Sequence, residues 1–87
     1  KGRQTKLQEI ISSDYPVVVY ESKHRIIKLL DELALASATS GRPLEVIVTR
    51  ELTKLHESIY SGSPETIKTA LELTPSALKG EFVVLIK

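Results

Sequence analysis

The sequence contains no cysteine, no methionine and no tryptophan. Without cysteine it forms no disulfide, holds no thiolate-bound metal and offers no thiol nucleophile. No apolar run approaches the ~20 residues that a helix needs to cross a bilayer. The basic start, Lys1 to Lys6, leads into no apolar stretch of the kind a secretory signal carries, so a cytoplasmic location is expected. A strong charge of either sign is also missing. Twelve basic and eleven acidic residues leave a net charge of +1 and a pI near 8.2, short of the pI above about 9 that marks many nucleic-acid binders. The distribution of those charges then matters more than their sum. The absence of methionine extends to position 1, which is the pattern expected of a trimmed domain. No internal repeat or low-complexity tract is present.

What is there suits one small folded unit. Eighty-seven residues, 41% hydrophobic and 26% charged, make a single domain spanning 1–87. A chain of that length buries about 60–65% of its unfolded surface, enough for one modest core. Leu7, Ile10 and Ile11 follow i, i+3, i+4 spacing and predict a short helix over 5–12, which Asp14 and Pro16 end. Pro16-Val-Val-Val-Tyr20 is an unbroken β-branched run and reads as a strand buried on both faces. Ser22 is the expected N-cap of a second helix, whose stripe is Ile26, Ile27, Leu30, Leu33 and Ala34. A turn at 40–43 leads to a strand over 44–49, with Leu44, Val46 and Val48 on one face. Arg50 to Glu57 is densely charged and reads as a helical turn or a structured loop, with Ser58–Tyr60 as a short edge strand after it. Ser63-Pro-Glu65 is a strong helix start, and Ile67, Ala70, Leu71 and Leu73 are the apolar side of that helix. Pro75 and Gly80 punctuate its exit before a last strand over 81–86.

Strands buried on both faces need helices on both faces. The expected fold is therefore α/β (α+β mixed), a three-layer αβα arrangement around a small mixed sheet. Two polar clusters follow predicted strands directly: Tyr20-Glu-Ser-Lys-His-Arg25 and Arg50-Glu-Leu-Thr-Lys-Leu-His-Glu57. Ligands of α/β proteins gather at such strand ends. Among His24, His56, Glu21 and Glu57 only Glu21 and His24 stand at i, i+3, and one such pair is too few for a metal set, so no metal site is expected. No serine sits in a nucleophile-elbow glycine setting, which argues against a hydrolase triad.

Four stretches, Lys1-Gly-Arg-Gln-Thr5, Tyr20–Arg25, Arg50–Glu57 and Gly80-Glu-Phe-Val-Val-Leu85, carry a resemblance that runs in order along essentially the whole chain. The chain resembles the small-subunit ribosomal RNA 2′-O-methyltransferases that modify a cytidine ribose, members of the tetrapyrrole methylase superfamily. Arg50–Glu57 is the most specific piece. Lys23 departs from the pattern, which usually has proline before His-Arg, so the family's loop rigidity and contacts do not carry over directly to this loop.

The resemblance implies the second, carboxy-terminal domain of a two-domain enzyme, with 1–6 as the linker from an amino-terminal domain that bears the glycine-rich loops. It implies S-adenosylmethionine in the cleft between the domains, contacted by backbone at Tyr20-Glu21, Glu51-Leu52 and Gly80-Glu81. Gly80, without a Cβ, would permit close approach. It further implies small-subunit ribosomal RNA as substrate and an enzyme inactive as this segment alone. A homodimer is expected because separation from an upstream domain exposes part of an apolar interface, and no membrane association is expected, since no apolar run is long enough to span one. Arg25, Arg50 and Lys54 are candidate contacts to RNA phosphate; an equal reading pairs them with Glu21, Glu51 and Glu57 beside the core. Glu51 and His56 are the candidates for a base that removes the hydroxyl proton. Two rival functions are a stand-alone RNA-binding module, which expects RNA binding without cofactor, and a dimerisation domain, which expects a doubled mass in solution.

Overall fold

A computed structural model describes residues 2–53, 56–73 and 80–87 of the chain, with the backbone course alone at 2–5, 51–53, 56 and 57. In chain order the elements are helix α1 (Gly2–Ser12), strand β1 (Val17–Ser22), helix α2 (Ile26–Ser40), strands β2 (Val46–Thr53) and β3 (His56–Gly62), helix α3 (Pro64–Leu73) and strand β4 (Glu81–Ile86). The strands form one sheet in the order β1-β4-β2-β3. This is a mixed α and β fold, as the sequence led one to expect, with a four-stranded sheet and three helices.

All three pairings are antiparallel. The expected parallel component is absent from the described ladders for a topological reason. β1 and β2, joined through α2, do run parallel to each other, as a βαβ crossover requires. β4 enters between them antiparallel to both, so they never touch.

Register sorts the side chains into two faces. Val17 and Val19 of β1, Phe82, Val84 and Ile86 of β4, and Val46 and Val48 of β2 point to the helices. There they meet Ile10 of α1, Ile26, Leu29, Leu30 and Leu33 of α2, and Ile67 and Leu71 of α3. Among the described residues the core lies on this face alone, and no second helical layer covers the other. β1 is therefore not buried on both sides: Val18 and Tyr20 are exposed while Val17 and Val19 are half-buried.

Local chemistry explains the element ends. Ser63 Oγ accepts from the Thr66 amide at 3.2 Å and caps α3, with Pro64 in the first turn where its missing N–H costs nothing. α2 closes at Gly41, whose φ of 75° is the left-handed cap conformation and whose N–H donates to the Ser37 carbonyl at 3.0 Å. Ser22 does not cap α2. It ends β1, its carbonyl accepts from the Arg25 amide at 3.1 Å, and Arg25 occupies the cap position without a side-chain hydrogen bond. α1 starts earlier than its apolar spacing indicates, so positions 2–6, read as linker, have helical backbone. Beyond its last turn, the Arg42 guanidinium donates to the Ile11 carbonyl, and to that of Ile10 at 3.4 Å.

Arg50 to Glu57 is neither a helical turn nor a loop over its described part. β2 continues through Arg50 to Thr53 and β3 begins at His56, paired antiparallel with it, while Lys54, Leu55 and Pro75 lie outside the described residues. The edge strand expected at 58–60 is the middle of β3.

Candidate functional site

The carboxyl ends of β1 and β2 point the same way, so the two polar clusters that follow them meet at one end of the sheet. The antiparallel partners begin there. At the last full rung, Ser22 pairs with Glu81, Glu81 with Glu51, and Glu51 with Glu57. One rung further in, Glu21 pairs with Phe82, Phe82 with Arg50, and Arg50 with Ser58. Tyr20-Glu21, Glu51-Leu52 and Gly80-Glu81, separated by up to sixty positions in sequence, are thus neighbours along one sheet edge. Like charges at directly paired positions oppose strand pairing. Three of the four positions in the last full rung are glutamates.

Two backbone irregularities sit at the same end. Between Glu51 and Thr53 the β2–β3 register slips by one, leaving Leu52 without a partner position. A bulge of this kind leaves the extra residue's backbone outside the ladder and bends the strand. Gly80, immediately before β4, has φ 86°, a conformation that residues with a Cβ seldom adopt.

The candidate RNA contacts separate. Arg25 is exposed in the β1–α2 turn together with Lys23 and His24. Arg50 is half-buried on the helix side of the sheet, where its Nη2 donates to Ser58 Oγ at 3.0 Å. That geometry favours the reading of Arg50 as a brace of the β2–β3 hairpin. Lys54 lies outside the described residues. The side chains of Glu51 and His56 are likewise outside the description; their backbones place them in facing strands.

A cleft of about 480 Å³ adjoins this end, lined by Lys6, Tyr20, Glu21 and Arg25 around an apolar floor of Ile10, Val19 and Leu29. Tyr20, Glu21 and Arg25 were expected at a site; Lys6 was not. It reads as solvated linker because nothing local links the basic start to β1. The available signal was the neighbouring Leu7, Ile10 and Ile11 stripe, which has to pack on something and carries Lys6 with it. Among the described residues, no three metal-ligating side chains gather. Among the described residues, the perturbed titratable group lies elsewhere. Lys68 of α3 is raised above its usual 10.5, chiefly by its hydrogen bond to Asp31 of α2, at 2.6 Å.

Comparison with curated proteins finds the same relatives repeatedly. The chain is 36% identical over 87 residues to the "Ribosomal RNA small subunit methyltransferase I" of Pasteurella multocida, covering 100% of this chain and 30% of that protein. It is 31% identical to the protein of that name from Haemophilus influenzae, with the same coverage. With that from Campylobacter fetus it is 37% identical over 87 residues, 99% of this chain and 30% of the relative. This chain is a homologue of part of those methyltransferases. It spans about a third of the length of the curated relatives it matches. No family model matches it.

Proposed function

We propose that the chain is the carboxy-terminal segment of a methyltransferase acting on small-subunit ribosomal RNA. In this reading the methyl group goes from S-adenosylmethionine to a ribose 2′-hydroxyl, and residues 1–87 form one wall of the cleft. The supporting observation is the common sheet end shared by Tyr20-Glu21, Glu51-Leu52 and Gly80-Glu81, with the Leu52 bulge and the Gly80 conformation beside it. When bound, the cofactor supplies an electrophilic methyl group on a sulfonium centre. The chain's own part is to hold and orient. Backbone N–H and C=O groups at the three turns match the adenine edge, Arg25 and Lys54 meet RNA phosphate, and Glu51 or His56 accepts the hydroxyl proton. Such a base contributes ~10²–10⁴-fold when positioned. A cytoplasmic homodimer, with an amino-terminal domain completing the cleft, belongs to the same reading. No described helix is long and apolar enough to cross a membrane.

The test compares the 87-residue chain with the full-length protein by calorimetry and a methyl-transfer assay on 30S particles. The chain alone should bind cofactor weakly and transfer nothing, because small-ligand sites bury about 70–90% of their ligand and one wall does not. In the full-length enzyme, Glu51→Ala or His56→Ala should cut turnover while leaving cofactor affinity within a few-fold. Robust turnover by the 87 residues alone would falsify the one-wall assignment.

A second reading has its own observation. Lys23, His24, Arg25 and Lys28 are all exposed at the β1–α2 junction, which suits a module that binds RNA without cofactor. Salt-dependent RNA binding by the chain, unaltered by cofactor in the full-length protein, would favour it.

A further inference from the structure

The sheet face turned away from the helices has the composition of an interior. Its two central rungs are Val18–Leu85–Ile47–Ser61 and Tyr20–Val83–Thr49–Ile59. Val18, Tyr20 and Ile59 are 50%, 78% and 69% exposed, and Leu85, Ile47 and Val83 are half-buried. An antiparallel sheet that faces water alternates apolar with polar residues. Val17–Tyr20, Val46–Val48 and Phe82–Ile86 do not alternate; they are the continuous apolar runs of strands covered on both sides.

We infer that this face is the seat of a helix from the same polypeptide, outside residues 1–87, which supplies the missing third layer. This rests on the reading of the chain as part of a longer enzyme. The relatives are about three times as long, so they carry ample chain to provide it. The size of the patch selects the occupant. Four strands at ~4.8 Å spacing and two rungs give a footprint on the order of 200 Å². A stable interface between separate molecules needs about 800 Å² on each partner. A second copy docking here falls well short. A helix is ~10 Å across, and about twelve residues of it span the four strands. Tethering makes its docking intramolecular, so a small footprint suffices.

The lack of cysteine makes the test direct. Val18→Cys and Ile59→Cys report the face, and Ala38→Cys, exposed on α2, is the control. Maleimide labelling is followed by peptide mass spectrometry, in the 87-residue chain and in the full-length protein. In the chain all three positions should label at similar rates. In the full-length protein positions 18 and 59 should slow by at least about tenfold with position 38 unchanged, equally at about 1 µM and about 100 µM protein. Equal labelling in both proteins overturns the inference. So does protection that appears only at the higher concentration, because that is a second copy. Should a substitution prevent folding, hydroxyl-radical footprinting of Tyr20 and Ile59 in the unsubstituted proteins makes the same comparison. None of these readouts requires activity, so protection without methyl transfer would sink the enzymatic reading and leave the covered face standing.

Discussion

At the scale of single residues, the most legible features were those whose partners lie close in sequence. Ser63 was readable as a cap because the amide it serves is three residues on. Its replacement by alanine should cost about 1 kcal/mol in chemical denaturation, and replacement by aspartate should restore most of it. An unchanged midpoint for Ser63→Ala would mean that the cap is not the stabilising contact. Arg42 was not readable, because the carbonyls it meets, Ile10 and Ile11, are 32 and 31 positions away. A guanidinium at those last-turn carbonyls ties α1 to the loop before β2. Arg42→Met should lower stability by about 1–2 kcal/mol, the scale of a charged hydrogen bond at a helix end, and Arg42→Lys should lose less. The test is the free energy of unfolding of each variant. Equal losses for both substitutions would assign the effect to the side chain's stem and not to its charge. The same logic separates Arg25 from Arg50. Both are arginines after apolar runs, and only cross-strand register puts Arg50 against Ser58 on the helix side.

At the scale of elements, apolar periodicity located every helix and the strand centres, and missed where polar residues extend strands. Glu and Lys are depleted from strands on local preference, so Arg50–Glu57 reads as a helical turn or a structured loop. What makes the described part a hairpin is pairing with β4, Arg50 against Phe82 and Glu51 against Glu81, and no local pattern carries that. The mixed sheet failed to form for a similar reason: the βαβ order was visible, and the insertion of β4 was not. Between helices, the Lys68–Asp31 pair joins α3 to α2. Lys68 is raised above 10.5 in the folded chain, mainly through that hydrogen bond. Its contribution is therefore complete below the unfolded value and is lost as pH rises through the higher folded value. The stability difference between wild type and Lys68→Met should be constant through neutral pH and vanish in strong alkali. A difference that persists there would assign it to packing. The pair is solvent-exposed, so the whole effect should be small and reduced by salt.

At the scale of the whole molecule, the radius of gyration is 12.5 Å, close to the ~12 Å expected for a folded domain of this length. The described residues build one core, and among them no element covers the outer face of the sheet. That face sets how the 87 residues should behave in solution. Val18 and Ile59 contribute little to the core, since they lie across the sheet from Ile10, Leu33 and Phe82. Replacing both with threonine, which keeps β-branching, should change unfolding free energy by no more than about 0.5 kcal/mol. It should also sharply reduce dye binding and weak self-association, because exposed apolar patches drive both. Leu33→Ala should do the opposite. It removes a fully buried side chain from α2 and should cost about 2–5 kcal/mol with no loss of dye binding. Sedimentation velocity, dye fluorescence and denaturation on the two variants decide the point. If the threonine pair unfolds the chain as Leu33→Ala does, the outer face is part of the core and the two-layer description is wrong. If it leaves association unchanged, the molecules meet through another surface, and the groove between α1 and α2 around Leu7, Ile11 and Leu35 is the next place to substitute.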